Sequence, residues 1–399
     1  MDMRSAQALK SVRQERPPAL LVLALVLASA LSPLAINIFI PSMASIAGDL
    51  SASASTVALG LSLYLVTVAT VQLIAGPLSD RYGRRPVMLA GMVLFLIGTL
   101  MCIYADSAAL FLAGRIVQAG SATGIVVSRA IVRDLFARDR AASMIGYVTM
   151  GLAVAPLIGP AIGGIMDSAF GWQSVFWLLA AFGVVTLAMI VAKLPETAHS
   201  IGAPVLVQFG AYRLLLRSAA FWRYAGTATL ISAVFFAFLG GAPFIASHRL
   251  AMSPAGYGIW FMACSLGYIL GNFLTGRLSS RLGIERLMRA GTWVSFLATL
   301  PPLVLFLGGH LSAAALFLPM LLVGLGNGLA VPTSTAGGVS VRPQAAGAAA
   351  GLLGAVQIGG GAAASAMASA LSHSHVAVAA LMAVFGIGAV LCAHWRPSA

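Results

Sequence analysis

Residues 76–88 read G-P-L-S-D-R-Y-G-R-R-P-V-M, and residues 276–288 read G-R-L-S-S-R-L-G-I-E-R-L-M. Aligned at an offset of 200 residues (276 against 76), they share Gly76/Gly276, Leu78/Leu278, Ser79/Ser279, Arg81/Arg281, Gly83/Gly283 and Met88/Met288. Each is a short basic break between long apolar runs. Gly76 and Gly83 are residues that a tight turn between two helices would use, because glycine adopts backbone angles closed to other residues. A break that recurs at the same place in each half marks a duplication. The runs on either side show what was duplicated.

Outward from these two breaks, apolar runs fall near 18–40, 55–77, 87–105, 109–131, 143–166, 173–192, 221–246, 257–276, 288–307, 313–334, 346–370 and 376–394. A bilayer core about 30 Å thick needs ~20 apolar residues per helix. The runs therefore predict twelve spans. They are continuous rather than alternating, which excludes a membrane barrel. Backbone groups in lipid must bond within their own segment, so the spans are helices. Composition agrees: 60% of the residues are hydrophobic and 8% are charged, against about 25% charged in a soluble domain. The expected fold is an all-α membrane protein of two pseudo-symmetric six-helix halves, 1–193 and 221–399. A polar cytoplasmic linker at 194–220 joins them, and 206–217 has the pattern of a short interfacial helix. Such duplication places a small-molecule site near the membrane midplane between the halves.

The formal charge is +13, which in a soluble chain would suggest a nucleic-acid partner. Its distribution gives another reading. With the N-terminus inside, 20 of the 23 Lys and Arg residues fall on the cytoplasmic side, Arg249 falls opposite, and Arg115 and Arg129 lie within spans. Cationic residues gather on cytoplasmic loops, so both termini are expected in the cytoplasm and no basic patch is left over for a nucleic acid. Cys102, Cys264 and Cys392 have no ligand spacing, and no metal site is expected. Ala28-Ser29-Ala30 resembles a cleavage site, but the apolar run continues past it, so the first span is read as uncleaved.

Three stretches then become recognisable. Gly76-Pro77-Leu78-Ser79-Asp80-Arg81-Tyr82-Gly83-Arg84-Arg85-Pro86 resembles the loop signature of the major facilitator superfamily. Arg115, Gln118 and Gly120 in the fourth span, and Gly159, Pro160, Gly163 and Gly164 in the fifth, resemble motifs of its drug/proton antiporter branch with twelve spans. Ser32–Pro41, Arg129–Leu135 and Gly171-Trp172 look like the Bcr/CflA subfamily, whose members export antibiotics. The resemblance implies the major facilitator fold in a bacterial inner membrane. It implies a monomeric secondary transporter that exports drug-like small molecules by alternating access, driven by a proton gradient and without a cofactor. It also implies a cytoplasmic gate formed by Gly76, Asp80, Arg81, Gly83, Arg84, Arg85 and Asp134. In that gate Asp80 sits at the start of the eleventh span and Arg84 pairs with Asp134. A purely topogenic charge cluster is the alternative reading of the same residues.

Physical chemistry adds the cavity. A charge within a span costs at least ~2.5 kcal/mol and normally faces a cavity or a partner. Arg115 either does so, with Gln118 on the same face, or extends to the outer surface. Asn37, Tyr64, Phe235, Phe236, Asn327 and Gln357 complete a candidate substrate cavity of a few polar groups among apolar walls. Small residues let the helix of the antiporter motif pack closely, which would keep the seam between the halves dry. One departure stands out. The resembled subfamily carries an acid in the first span where this chain has Asn37, and every Asp and Glu falls at a loop or a span end. Coupling from Asp134 or Asp80, a charged substrate, and transport without protons all remain open. With no midplane carboxylate, neutral or anionic amphiphiles suit the cavity better than cations. No catalytic set, metal cluster or phosphate loop is visible, so an enzyme is not expected. An importer or facilitator on the same fold is the remaining alternative.

Overall fold

The computed structural model describes residues 19–135, 158–197, 212–342 and 346–395. Among these residues there is no strand, and eleven helices are long and apolar enough to cross a membrane. The first, α1 (Ala19–Asn37), continues through a 3-10 turn at Ile40–Ser42 and a short helix at Met43–Asp49. Then follow α2 (Ala54–Tyr82), α3 (Arg84–Ile103) and α4, which runs as Ala108–Gln118, a 3-10 turn at Ala119–Ser121, and Ala122–Leu135. Helix α5 is described over 158–170. The remainder of the fifth apolar run lies outside the described residues, as do 198–211 of the linker. After α6 (Gln173–Lys193) come α7 (Ala219–Leu250), α8 (Pro254–Leu282), α9 (Ile284–Leu307), α10 (Ala313–Ser340), α11 (Ala346–Ala370) and α12 (His375–His394).

Serines start these helices. The hydroxyls of Ser53, Ser107, Ser218, Ser253, Ser312 and Ser374 each accept the backbone N–H three residues on, at 3.1 to 3.5 Å. Each satisfies one of the donors that a helix N-terminus leaves open. The duplication is visible in these boundaries. Ser53 caps α2, which ends at Tyr82, and Ser253 caps α8, which ends at Leu282. Gly83 and Gly283 follow with φ of 100° and 79°. Only these two glycines make the turns. Gly76 is helical, because α2 runs unbroken through Gly76 and Pro77 to Tyr82. The expectation of a turn at Gly76 is therefore corrected.

Helices α1, α4, α7 and α10 are buried over most of their apolar windows, whereas α6, α8, α9, α11 and α12 are buried over less than half of theirs. The outer helices turn large apolar side chains outward: Val93, Leu94 and Ile97 on α3, Val184 and Val185 on α6, Val304 and Leu307 on α9. Surfaces of this kind suit lipid. Glycines set the close helix approaches. A Cβ on Gly267 of α8 would lie 1.8 Å from the Leu321 carbonyl oxygen of α10, so the two backbones touch there. The halves meet along α2 and α11, where Gln72 reaches within 3.0 Å of the place a Cβ on Gly354 would take. They meet again where α5 crosses the start of α8.

Candidate transport site

At the arginine-rich end, Arg84 is the first residue of α3 and is nearly buried. Its guanidinium bridges α2 and α4. It pairs with Asp80 one turn back and with Asp134, Nε to Oδ2 at 3.0 Å. It also donates to the Ser79 hydroxyl at 2.6 Å. A single cation thus fastens three helices of one half. Glu196, beyond the end of α6, accepts the backbone N–H groups of Arg84 at 2.9 Å and Arg85 at 3.2 Å. A carboxylate on the first N–H groups of a helix is stabilised by the helix dipole. Arg85 donates from its side chain to the Val191 carbonyl at 2.9 Å, which adds α6 to the cluster. Arg81 lies over the Tyr82 ring at 5.3 Å. The eleventh span, at whose start the partner of Asp80 is expected, begins at Ala346, and residues 343–345 just before it lie outside the described residues.

Deeper in the same half, Arg115 has no exposed surface. It does not extend to the outer surface, and it meets partners, Gln118 among them, inside the half. The cause lies in α1. Its helical ladder ends with the Ile38 N–H on the Leu34 carbonyl, and the Ala35 carbonyl accepts from Arg115 Nη2 at 3.2 Å. The chain then turns Phe39 under the guanidinium, 4.1 Å from ring centre to Cζ, while the Tyr64 ring closes from α2 at 4.4 Å. Two aromatic faces attract a desolvated cation by ~2 kcal/mol or more each. Arg115 also donates to the Gly60 carbonyl at 3.4 Å and to Gln118 Oε1. Gln118 passes the network on to Thr99 at 2.9 Å. The Tyr64 hydroxyl meets Ser121 at 2.8 Å and Ser32 at 3.2 Å. Tyr64, Arg115 and Gln118 therefore form one packed polar core joining α1, α2, α3 and α4. All three are enclosed in this conformation.

Asn37 sits at the break of α1. Its Nδ2 donates to the Pro33 carbonyl at 2.8 Å, and its buried Oδ1 has no partner among the described residues. A buried amide oxygen left unpaired costs about 1–3 kcal/mol. Gly159 of α5 lies against it, with a Cβ position 3.4 Å from the Asn37 Cβ. Gly163, one turn on, would put a Cβ 1.8 Å from the Ile38 carbonyl oxygen, and Gly164 one 2.1 Å from the Pro254 carbonyl oxygen of α8. The Pro160 carbonyl oxygen would lie 2.4 Å from a Cβ on Gly258. These four residues of α5 thus lie between α1 and the first turn of α8, in the other half.

In the second half, Phe235 and Phe236 stack edge to face at 5.7 Å, and Phe236 covers Gly361 of α11. Gln357 donates to Ser232 at 2.8 Å, joining α11 to α7. Asn327 donates to the Val323 carbonyl of its own helix at 3.1 Å. The structure brings Tyr64, Arg115 and Gln118 together and keeps them apart from this second group. Sequence reasoning missed Phe39, Thr99 and Glu196. Phe39 lay inside a quoted stretch, but nothing local marks Glu196, whose partners at the start of α3 are more than a hundred residues away. Among the described residues, no group of three His, Cys, Asp or Glu side chains could hold a metal.

A family model described as Major Facilitator Superfamily matches residues 25–365. Multidrug resistance protein D of Escherichia coli (strain K12) is 32% identical over 389 residues, covering 95% of this chain and 95% of the relative. A chloramphenicol resistance protein of Pseudomonas aeruginosa is 29% identical, covering 77% of this chain and 73% of the relative. Among solved structures, a bacterial homolog of the human lysosomal transporter Spinster superposes with a TM-score of 0.70 at 16% identity, covering 94% of this chain and 98% of that one. That match shows the fold. The chain is a multi-pass membrane transporter, not an enzyme, and it belongs to the major facilitator superfamily.

Proposed function

We propose that this transporter exports neutral or anionic amphiphilic small molecules, including antibiotics, in exchange for protons. The observation that carries the reading is the 32% identity to a multidrug resistance protein along 95% of the chain. The unpartnered amide oxygen of Asn37 supports it. Lying beside the α5 glycines and near the interface of the halves, it is an acceptor waiting for a hydroxyl or amide donor of a substrate. Phe235, Phe236, Asn327 and Gln357 are the proposed contacts from the other half. With Arg115 enclosed and no carboxylate nearby, a lipophilic cation gains no ion pair. The protein works as a monomer in a bacterial inner membrane. Its arginine-rich end and both termini face the cytoplasm, as the cation asymmetry favours. The Arg84 cluster holds α2, α3 and α4 together as one moving unit at the cytoplasmic gate. The proton gradient supplies the energy, and no cofactor takes part.

Uptake of labelled chloramphenicol into inverted vesicles with an imposed pH gradient tests this. Gradient-dependent accumulation is expected, reduced about tenfold by Asn37→Ala if one hydrogen bond of ~1.4 kcal/mol is lost. Equal accumulation with the gradient collapsed would remove the antiport reading. No accumulation of any amphiphile from a broad panel would remove export itself.

A further inference from the structure

Six of the seven acids in the described residues have a clear occupation or open water. Asp80 and Asp134 pair with Arg84, and Glu285 pairs with Arg223. Glu196 caps α3, Asp49 accepts from the Trp172 indole at 2.8 Å and from Gln173 at 3.2 Å, and Asp106 is exposed. Asp167 is different. It is the one acidic side chain buried among the described residues, at 7% exposed, and none of the ion pairs recorded there includes it. Its Oδ2 accepts from the Ser45 hydroxyl at 2.8 Å, tying α5 to the short helix that extends α1.

Its surroundings form the seam between the halves at the end opposite the arginines. The next residue, Ser168, accepts the Ala255 N–H of α8 at 3.1 Å. A cavity of about 180 Å³ lies beside the seam, lined by Ala44 and Ser45 of one half and by Pro243, Ser247, Pro254 and Tyr257 of the other. The Tyr257 hydroxyl, buried there, has no hydrogen-bond partner among the described residues. A carboxylate held in such a place is disfavoured by desolvation, and no cation among the described residues pairs with it. Opening the seam would hydrate it.

We propose that Asp167 is a proton-binding site fed from the outer medium, and that its protonation locks the outer seam of the transporter. The inference rests on the exporter topology given above, which puts this end outside. After substrate leaves the outward-open protein, a proton from external water neutralises Asp167. The neutral carboxyl can then re-enter the dry seam, and the halves close. Asp167 lies one residue beyond the fifth apolar run, and burial pushes its carboxyl above the usual range, against the Ser45 and Ser42 hydroxyls that lower it. The sign follows from linkage. A group that binds its proton more tightly in the closed state favours closure below its hydrated value, and that preference is lost as pH rises through the raised value. The other titratable or charged groups on the packed elements are Asp49 on the α1 extension, Tyr257 on α8, and His248 and Arg249 at the end of α7. The start of α6 brings none.

The test uses an impermeant maleimide on intact cells carrying Ala44→Cys, with rates divided by those of the exposed control Ser55→Cys to remove the pH dependence of the thiol itself. Native Cys102 and Cys264 are buried, and Cys392 lies at the arginine-rich end. With Asp167 intact, the normalised rate falls as external pH falls, by up to about tenfold per pH unit, the limit for one linked proton. Asp167→Asn makes it slow and independent of pH. Ser45→Ala, which removes the donor to the charged form, moves the midpoint to higher pH and serves if Asp167→Asn does not insert. An unchanged slope in Asp167→Asn, a slope abolished by His248→Gln, or a response to sodium at fixed pH would each overturn the proposal. Labelling requires no transported drug, so its outcome stands apart from that of the vesicle assay.

Discussion

The two halves solve the same mechanical problem at the arginine-rich end with opposite charges. In the first half one cation, Arg84, stands between two acids, Asp80 on α2 and Asp134 on α4. In the second half the residue at the equivalent position is Ile284, and the next one, Glu285, is one acid between two cations. It pairs with Arg223 of α7 and lies 3.8 Å from Arg289 of its own helix. The Tyr224 hydroxyl donates to it at 2.5 Å, and Arg223 also reaches the Ala393 carbonyl of α12 at 3.0 Å. The glycine that turns the chain is common to both halves, while the charge that fastens it is inverted and ties different helices. A duplicated backbone device has thus kept its geometry and exchanged its electrostatics. The first cluster is also better shielded: the Arg84 side chain is 8% exposed, against 38% for Glu285.

The largest effect should come from Arg84→Met. Methionine keeps the apolar stem but leaves Asp80 and Asp134 facing each other without a cation. Removing one partner of a buried ionic cluster costs about 3–5 kcal/mol. Thermal denaturation of the purified protein in detergent should show a loss of about 4 kcal/mol. A loss below about 1 kcal/mol would mean that the shielding of this cluster has no energetic weight.

The glycine pair sharpens the comparison at the level of backbone. Both Gly83 and Gly283 have ψ near 150° as well as positive φ, a region nearly closed to other residues at ~1–3 kcal/mol. Gly283→Ala meets only that strain, since no atom lies within 4 Å of the new Cβ. About 2 kcal/mol is expected. Gly83→Ala meets the strain and also places its Cβ 2.5 Å from Glu196 Oε2, so about 3 kcal/mol is expected in the same assay. Adding Glu196→Ala should bring the two glycine variants to the same cost, since the excess is a coupling between neighbours. An excess that survives in the double variant would place the difference somewhere other than the Glu196 cap.

Much of this was legible from the residues alone, for definable reasons. Span positions and the 200-residue repeat are carried by local composition and by polar breaks, which the bilayer turns directly into helices and turns. The partnership of Arg84 with Asp134 was readable because both lie in recognisable stretches at span ends. Gly76 misled because glycine permits a turn without imposing one, and α2 carries it without interruption. The enclosure of Arg115 was not legible. Its spacing to Gln118 shows that they share a face, but not that α1 breaks where it can offer the Ala35 carbonyl and the Phe39 ring. Glu196 was read as part of a polar linker, because nothing near it in sequence announces the start of α3. Asp167 stood among the acids at span ends. Only packing separates it from its neighbours, by burying it where no cation follows.

The smallest effect, and the sharpest test of the charge inversion, is Glu285→Gln. The amide keeps an acceptor for the Tyr224 hydroxyl, and Arg223 keeps the Ala393 carbonyl, so geometry is largely preserved while the charge is lost. Exposed ion pairs contribute ~0.2–1 kcal/mol, and with Glu285 more than a third exposed a loss of about 1 kcal/mol is the most to expect. Screening supplies the second dimension. Salt at about 1 M shortens the Debye length to ~3 Å and weakens exposed pairs far more than shielded ones. Raising the salt should therefore narrow the gap between Glu285→Gln and the parent, and leave the gap between Arg84→Met and the parent almost unchanged. If both gaps respond equally, the two clusters differ in sign alone, and the second half is fastened at this end as firmly as the first.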